Sequence, residues 1–242
     1  MTSFLHAPST NQLLAALPDA ERMALMADCK TVELAFGQVL FQPGDTITHV
    51  YFPIDSFISL VAVIDSGARL EVGMAGREGM LGPSLLLGVN EIPLLALVQG
   101  SGTALRISAD LFLRLLETSP TLHQRLNRYL YVVMNQLAKS GACHRFHQIE
   151  ARLARWLLMA QDRANCDQLQ LTHEFLAMML GVRRAGTTLA ASALQSRGLI
   201  RYHRGAVLVL DRPGLIEVAC ECYTEDCAIY SRILNIPGPG VG

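Results

Sequence analysis

No basic leader followed by an apolar core opens this sequence, which begins MTSFLHAPSTNQLL. That absence argues against a secretory signal. Apolar stretches such as Phe57–Ile64 fall far short of the roughly 20 residues that a membrane helix needs. Internal repeats and low-complexity tracts are also missing, apart from the terminal IPGPGVG, which reads as a frayed tail. The expectation is a soluble cytoplasmic protein with no membrane contact. In that compartment its six cysteines (Cys29, Cys143, Cys166, Cys220, Cys222, Cys227) are reduced thiols rather than a disulfide framework.

Charge is sparse, at 17% of residues, while 51% are hydrophobic, a balance that only a folded globular chain carries. The length of 242 residues suits two domains. A net charge of −1 hides an uneven distribution. Residues 145–212 hold ten arginines, no lysine and five carboxylates, whereas the segments on either side are acidic. Guanidinium groups suit bidentate and phosphate contacts, so the basic segment points to nucleic acid.

Between about Thr31 and Ile107, short β-branched and apolar runs are punctuated by Pro-Gly, Asp-Ser-Gly and Gly-Ser-Gly, the pattern of a small barrel or jelly roll. A helix over Gln12–Asp28 precedes it, from the apolar spacing of Leu13, Leu17 and Leu25. After Ser108 the pattern becomes helical. Ala109–Glu117 ends at Ser119-Pro120, and a longer helix begins at Thr121. In that helix Leu126, Leu130, Val133 and Leu137 recur at alternating four- and three-residue spacing, a seam for either the barrel or a second copy of the chain. Gly141-Ala142-Cys143 is expected to interrupt it, and Gln148–Arg163 to form another amphipathic helix.

The segment LTHEFLAMMLGVRRAGTTLAASALQSRGLIRYHRGAVLVLD carries the strongest signal. Thr172 can cap a helix that ends at Gly181, and a second helix then runs from about Arg183 to Ser196. Leu199–Tyr202 and Val207–Leu210 alternate as a hairpin with a basic tip, which is a wing. In a winged helix-turn-helix the second helix enters the major groove of duplex DNA with its N-terminal residues at base edges. Arg183, Arg184, Thr187 and Thr188 are therefore the candidate base readers. Thr172, His173, Arg201, His203 and Arg204 are the candidate phosphate contacts.

On these motifs the sequence resembles the CRP/FNR family of bacterial transcription regulators, most specifically through LTHEFLAMMLGVRRAGTTLAASALQSRGLI. The resemblance implies an α+β chain: a cyclic-nucleotide-binding-like sensor barrel over 1–120, a dimerisation helix and hinge over 121–144, and a winged helix-turn-helix over 145–242. It implies a homodimer joined through Leu126, Leu130, Val133 and Leu137, two-fold operators, and RNA polymerase as a partner. Two departures stand out. Where the family carries Arg-Glu and a second Arg on its recognition helix, Arg184 keeps the first, but Ala185 and Leu189 replace the others. Where cyclic-nucleotide binders place a Glu after a Gly and an Arg-Ser pair, Gly82 is followed by Pro83 and Ile92-Pro93 stands at the pair. A phosphate needs a paired cation or converging N–H donors, so cyclic AMP is not expected to bind. Arg77, Glu78 and Gly82 are left as a candidate effector pocket for an unidentified effector.

No cofactor or metal is expected. Only Cys29 lies in the first 140 residues, which excludes the N-terminal cysteine cluster of oxygen-sensing relatives. Cys220, Cys222 and Cys227 fall on an expected helix from Pro213, where a one-residue step points the first two sulfurs apart. Cys143, His144 and His147 gather near the hinge but lack a fourth ligand. They are read in structural or hinge roles, and redox sensing is the alternative for Cys143, Cys166, Cys220, Cys222 and Cys227. His49 is the sole histidine from Thr31 to Ile107, so the His-x-His of a cupin-type metalloenzyme is missing, and the chain is read as no enzyme. A ligand- or redox-sensing interaction protein without DNA binding remains the alternative.

Overall fold

The buried Asn11 ties the start of the fold to the barrel. Its side chain accepts from the backbone of Leu13 and Leu14, capping α1 (Gln12–Ala15), and donates to the carbonyls of Pro53 and Gly79. The computed structural model describes residues 10–64, 67–164, 166–203 and 205–236, with the backbone alone for 173 and 174. The single helix expected over Gln12–Asp28 is two helices. Pro18 cannot continue a helix interior and instead caps α2 (Asp19–Asp28).

Seven strands follow: β1 (Lys30–Leu34), β2 (Val39–Phe41), β3 (His49–Pro53), β4 (Phe57–Val63), β5 (Arg69–Ala75), β6 (Leu95–Gly100) and β7 (Gly102–Ser108). They pair antiparallel in two sheets, ordered β1-β7-β3 and β2-β6-β4-β5, enclosing a core that includes Phe41, Val50, Phe52, Ile58, Val98 and Leu105. β4 is apolar on both faces. Ile58 points into the barrel, while its neighbours Phe57 and Val61 belong to a second core shared with the C-terminal half. The sheet's outer face is therefore an internal surface.

Helix α3 (Ala109–Thr118) is capped by Ser108, and the 27-residue α4 (Pro120–Phe146) by Ser119. Gly141 does not interrupt α4. An interior glycine costs about 1 kcal/mol relative to alanine, which tertiary packing can absorb. The inward face of α4 carries Leu122, Leu126, Tyr129, Val132 and Gln136. Leu126 thus belongs to the barrel core and Val133 lies partly against it, while Leu130 is half-buried and Met134 and Leu137 are exposed. The expected four-residue seam is split between two faces.

The C-terminal half comprises α5 (Ile149–Ala164), β8 (Gln168–Gln170), α6 (His173–Leu180), α7 (Arg184–Ser196), β9 (Ile200–His203), β10 (Ala206–Val209), α8 (Arg212–Val218) and α9 (Cys222–Ile229), followed by a wide helical turn over Tyr230–Leu234. The three strands pair in the order β8-β10-β9, so the wing gains a third strand that the sequence pattern did not announce. The helix expected from Pro213 onward breaks at the extended Ala219, which leaves Cys220 in a corner and Cys222 at the start of α9. That corner brings Cys220 and Cys222 together with Cys143 and His147, contrary to the expectation that their sulfurs diverge. The chain then turns back, burying Tyr230, Leu234 and Ile236 in the barrel core, and Arg125 donates to the carbonyls of Leu234 and Ala16. Among the described residues no helix is long and apolar enough to cross a membrane.

Two of the polar contacts that join the halves lie between α5 and the barrel. Arg163 on α5, wholly buried, pairs through Nε with Glu78 at 2.7 Å. Trp156 Nε1 donates to Glu71 on β5 at 2.7 Å, and Ser59 donates to its other oxygen. Glu78 is therefore taken up by an internal ion pair, and Gly82 (φ +94°) makes the turn into the 3-10 helix at Pro83–Leu87. Arg77 offers its carbonyl to the backbone of Gln12. Of the three residues expected to line an effector pocket, Glu78 is thus held in an ion pair and Gly82 in a turn, while Arg77 is engaged here through its backbone.

Burial pushes the Glu71 carboxyl up to about 7 from an ordinary 4.5, against the pull of its two hydrogen bonds. A carboxyl whose pKa is raised by folding stabilises the fold below its unfolded value, and that stability is lost as pH rises through 7. The thermal midpoint should therefore fall between pH 5.5 and pH 8 by more in the native protein than in Glu71→Gln; equal slopes in calorimetry would refute this.

Candidate nucleic-acid interface

Helix α6 is set by a residue at each of its ends. Thr172 Oγ1 accepts from the backbone N–H of Phe175 at 3.1 Å, which caps α6, and Gly181 closes that helix in the left-handed region at φ +61°. Arg183, in extended conformation, is the N-cap residue of α7, so that helix begins one residue later than expected. Helix α7 presses on α5 with small side chains: Thr187, Ala190 and Ala191 are buried with Leu194. A Cβ added at Gly186 would come within 3.1 Å of Ile149 Cδ1, so that position too lies close to α5.

This packing decides which side chains are available. Thr187, expected among the base readers, is wholly buried and faces the core. Arg183, Arg184 and Ala185 are exposed, Thr188 is half-buried with its hydroxyl donating to the carbonyl of Arg184, and Leu189 stands 73% exposed. Sequence reasoning noted Ala185 and Leu189 only as departures from a pattern. Their exposure makes them an apolar patch on an otherwise polar face, and the 185, 189 spacing could have shown it.

The arginines divide in the same way. Arg152 donates to the carbonyl of Leu180, and Arg155, Arg163, Arg197 and Arg212 pair with Asp226, Glu78, Glu150 and Asp162. Five of the ten guanidiniums in the basic segment thus hold the domain together. Arg183, Arg184 and Arg201 are exposed and belong to no ion pair among the described residues. Arg201 and His203 lie on β9, next to Tyr202, whose hydroxyl donates to the carbonyl of Leu171. His203 pairs in register with Ala206, so it belongs to the wing's strand rather than its tip. Arg204 and the side chain of His173 lie outside the described residues.

Residues 31–119 match the model of the cyclic nucleotide-binding domain, and residues 151–218 match that of the Crp-like helix-turn-helix domain. The chain belongs to the CRP/FNR family. It is a transcription regulator, with a helix-turn-helix that binds DNA and a sensor domain of the cyclic nucleotide-binding fold. No curated relative matches in sequence. Among solved structures, this family member resembles in fold the c-di-GMP responsive global regulator CLP of Xanthomonas campestris. The two are 18% identical with a TM-score of 0.64, covering 79% of this chain and 99% of that one. It also resembles FixK2 from Bradyrhizobium japonicum, at 12% identity and a TM-score of 0.66 over 79% and 98% of the two chains. A third likeness is to a Eubacterium rectale protein assigned to the crp/fnr family of transcriptional regulators, at 17% identity and a TM-score of 0.63 over 85% and 96%.

Arg184→Ala should reduce discrimination at one base position by about 1–3 kcal/mol, whereas Arg201→Ala should weaken binding to all duplexes alike and lower the salt slope by about 1. Competition binding on specific and random duplexes at several salt concentrations separates the two. Equal losses on both duplexes for both variants would refute the assignment.

Proposed function

We propose that this regulator acts in the cytoplasm as a homodimer on two-fold operators, and that its sensor domain does not answer to cyclic AMP. The observation that carries the dimer is the outward face of α4. Leu130, Met134 and Leu137 follow one another at four- and three-residue spacing, and Met134 is 67% exposed. Pairing that stripe with its copy would remove it from water and set the two α7 helices as a symmetric pair. On B-form DNA such a pair meets major grooves about 34 Å apart.

Within each half-site we assign Arg183, Arg184 and Thr188 to base edges, with Leu189 and Ala185 against thymine methyl groups, which apolar side chains contact in the major groove. Thr172, His173, Arg201, His203 and Arg204 are assigned to phosphates. In the sensor, Ile92 is buried and Pro83 follows Gly82, so the places a cyclic phosphate would need are apolar or lack an N–H. RNA polymerase is the partner through which such a regulator would act.

Mapping of bound genomic fragments followed by footprinting tests the operator, which should show two protected half-sites one helical turn apart. Met134→Glu would place a carboxylate in a closed apolar seam, at a cost of several kcal/mol. It should sediment as a monomer and lose the two-half-site footprint. A dimer that survives this change would remove α4 from the interface.

A further inference from the structure

Outside the DNA-binding face, four side chains from two distant parts of the chain converge where α4 ends. Cys143 and His147 lie four residues apart and so share a face of the helix terminus. Cys220 and Cys222 come from the corner between α8 and α9, which also carries a backbone bond from Tyr223 N–H to the Cys220 carbonyl. Cys143 Sγ is 3.6 Å from Cys220 Sγ, and Cys222 Sγ is 3.6 Å from His147 Nδ1. All four donor atoms lie within 4.8 Å of one another.

We propose that this cluster is a closed binding site for one zinc-class divalent ion, held by three thiolates and one imidazole. Bond lengths of about 2.3 Å to sulfur and 2.0 Å to nitrogen give tetrahedron edges of about 3.8 Å between sulfurs and 3.5 Å between sulfur and nitrogen. The two 3.6 Å separations fall close to those edges, and the remaining pairs, all within 4.8 Å, need only a modest contraction. The three cysteines are buried and form an isolated cluster of their own, set against Ala151 rather than against either main core. His147 carries the outer partner expected of a ligating imidazole: with Nδ1 turned to the thiols, Nε2 meets Glu221 at 3.1 Å, which fixes the tautomer and ring. His144 is not among the four converging groups; its Nδ1 lies 2.6 Å from the Ser140 carbonyl.

The donor set selects the ion. Three sulfurs and one nitrogen in a tetrahedron suit zinc and disfavour the oxygen-seeking magnesium and calcium. A four-iron cluster places each thiolate on a different iron and a two-iron cluster places its ligands in pairs on opposite irons, spreading the four donors more widely than this site allows. With four protein ligands no position is left for water, so the ion is structural or regulatory and performs no hydrolysis. It would clip the end of α4 to the corner following the wing, and so fix the DNA-binding half against the helix proposed to carry the dimer.

The test uses the full chain purified under reductant without chelator. Elemental analysis should find roughly one zinc per chain. After removal of that metal, added Co2+ should give the intense visible absorption of a tetrahedral thiolate site together with sulfur-to-cobalt charge transfer. Cys143→Ser and Cys222→Ser should abolish the charge-transfer band or weaken it severalfold, His147→Cys should keep metal with an altered band, and Cys166→Ser should change nothing. Glu221→Ala should weaken Co2+ binding by about tenfold to a hundredfold. Because the first readout needs no variant, misfolding of a substituted chain does not protect the proposal. It is overturned if the native chain gives no tetrahedral Co2+ spectrum, if iron with acid-labile sulfide is found in place of zinc, or if Cys143 and Cys220 are isolated as a disulfide under reductant. None of these readouts involves DNA, so the site stands or falls independently of the operator.

Discussion

A fully buried guanidinium is the constraint around which the two halves are arranged. Arg163 sits on α5 with no access to water, and its charge is tolerable there because Glu78, in the loop after β5, answers it at 2.7 Å. Such a pair adds little net stability over an apolar replacement, since both ions give up hydration, but removing one partner strands the other. Its effect is one of specificity. Only one placement of α5 on the barrel satisfies Arg163, and that placement also sets Trp156 on Glu71 and slides α5 over the outer face of β4. The same geometry explains why Gly76 carries no side chain, because a Cβ there would lie 2.4 Å from Arg163 Cγ.

This arrangement changes what the basic segment means. Charge counted along the sequence pointed to nucleic acid for the segment as a whole, yet half of its arginines are internal or paired within the protein. Among the described residues, the exposed arginines in no ion pair include Arg183 and Arg184 at the front of α7 and Arg201 on β9, the group proposed for DNA. Beside it stands the exposed Leu189, where the family resemblance implies an arginine, a combination suited to reading methyl groups as well as hydrogen-bond acceptors.

Much of the fold was legible in local chemistry. The cap at Thr172, the glycine at 181 and the alternation of short strands each state a local backbone preference that the tertiary structure does not oppose, and the family resemblance added the order of the parts. The failures share a different cause. Leu126 and Val133 satisfied a heptad, but the barrel competes for the same helix and takes one face of it. Thr187 looked like a reader because it lies early in α7, although its spacing to Ala190, Ala191 and Leu194 places it on the inward stripe. Gly141 was given the weight of a breaker in a helix stabilised by its packing. The convergence of Cys143 and His147 with Cys220 and Cys222 was invisible, since it depends on one extended residue, Ala219, that no periodicity reveals.

The path of the last residues sets how the DNA-binding half can move. After α9 the chain re-enters the barrel core with Tyr230, Leu234 and Ile236, while the other end of the same half leaves from α4. A body attached to its support at both ends, with Arg163 and Trp156 fastened to the barrel between them, is no pendulum on a single hinge. Moving that half as a unit against the barrel would therefore have to act at both ends and at the Arg163–Glu78 and Trp156–Glu71 contacts together.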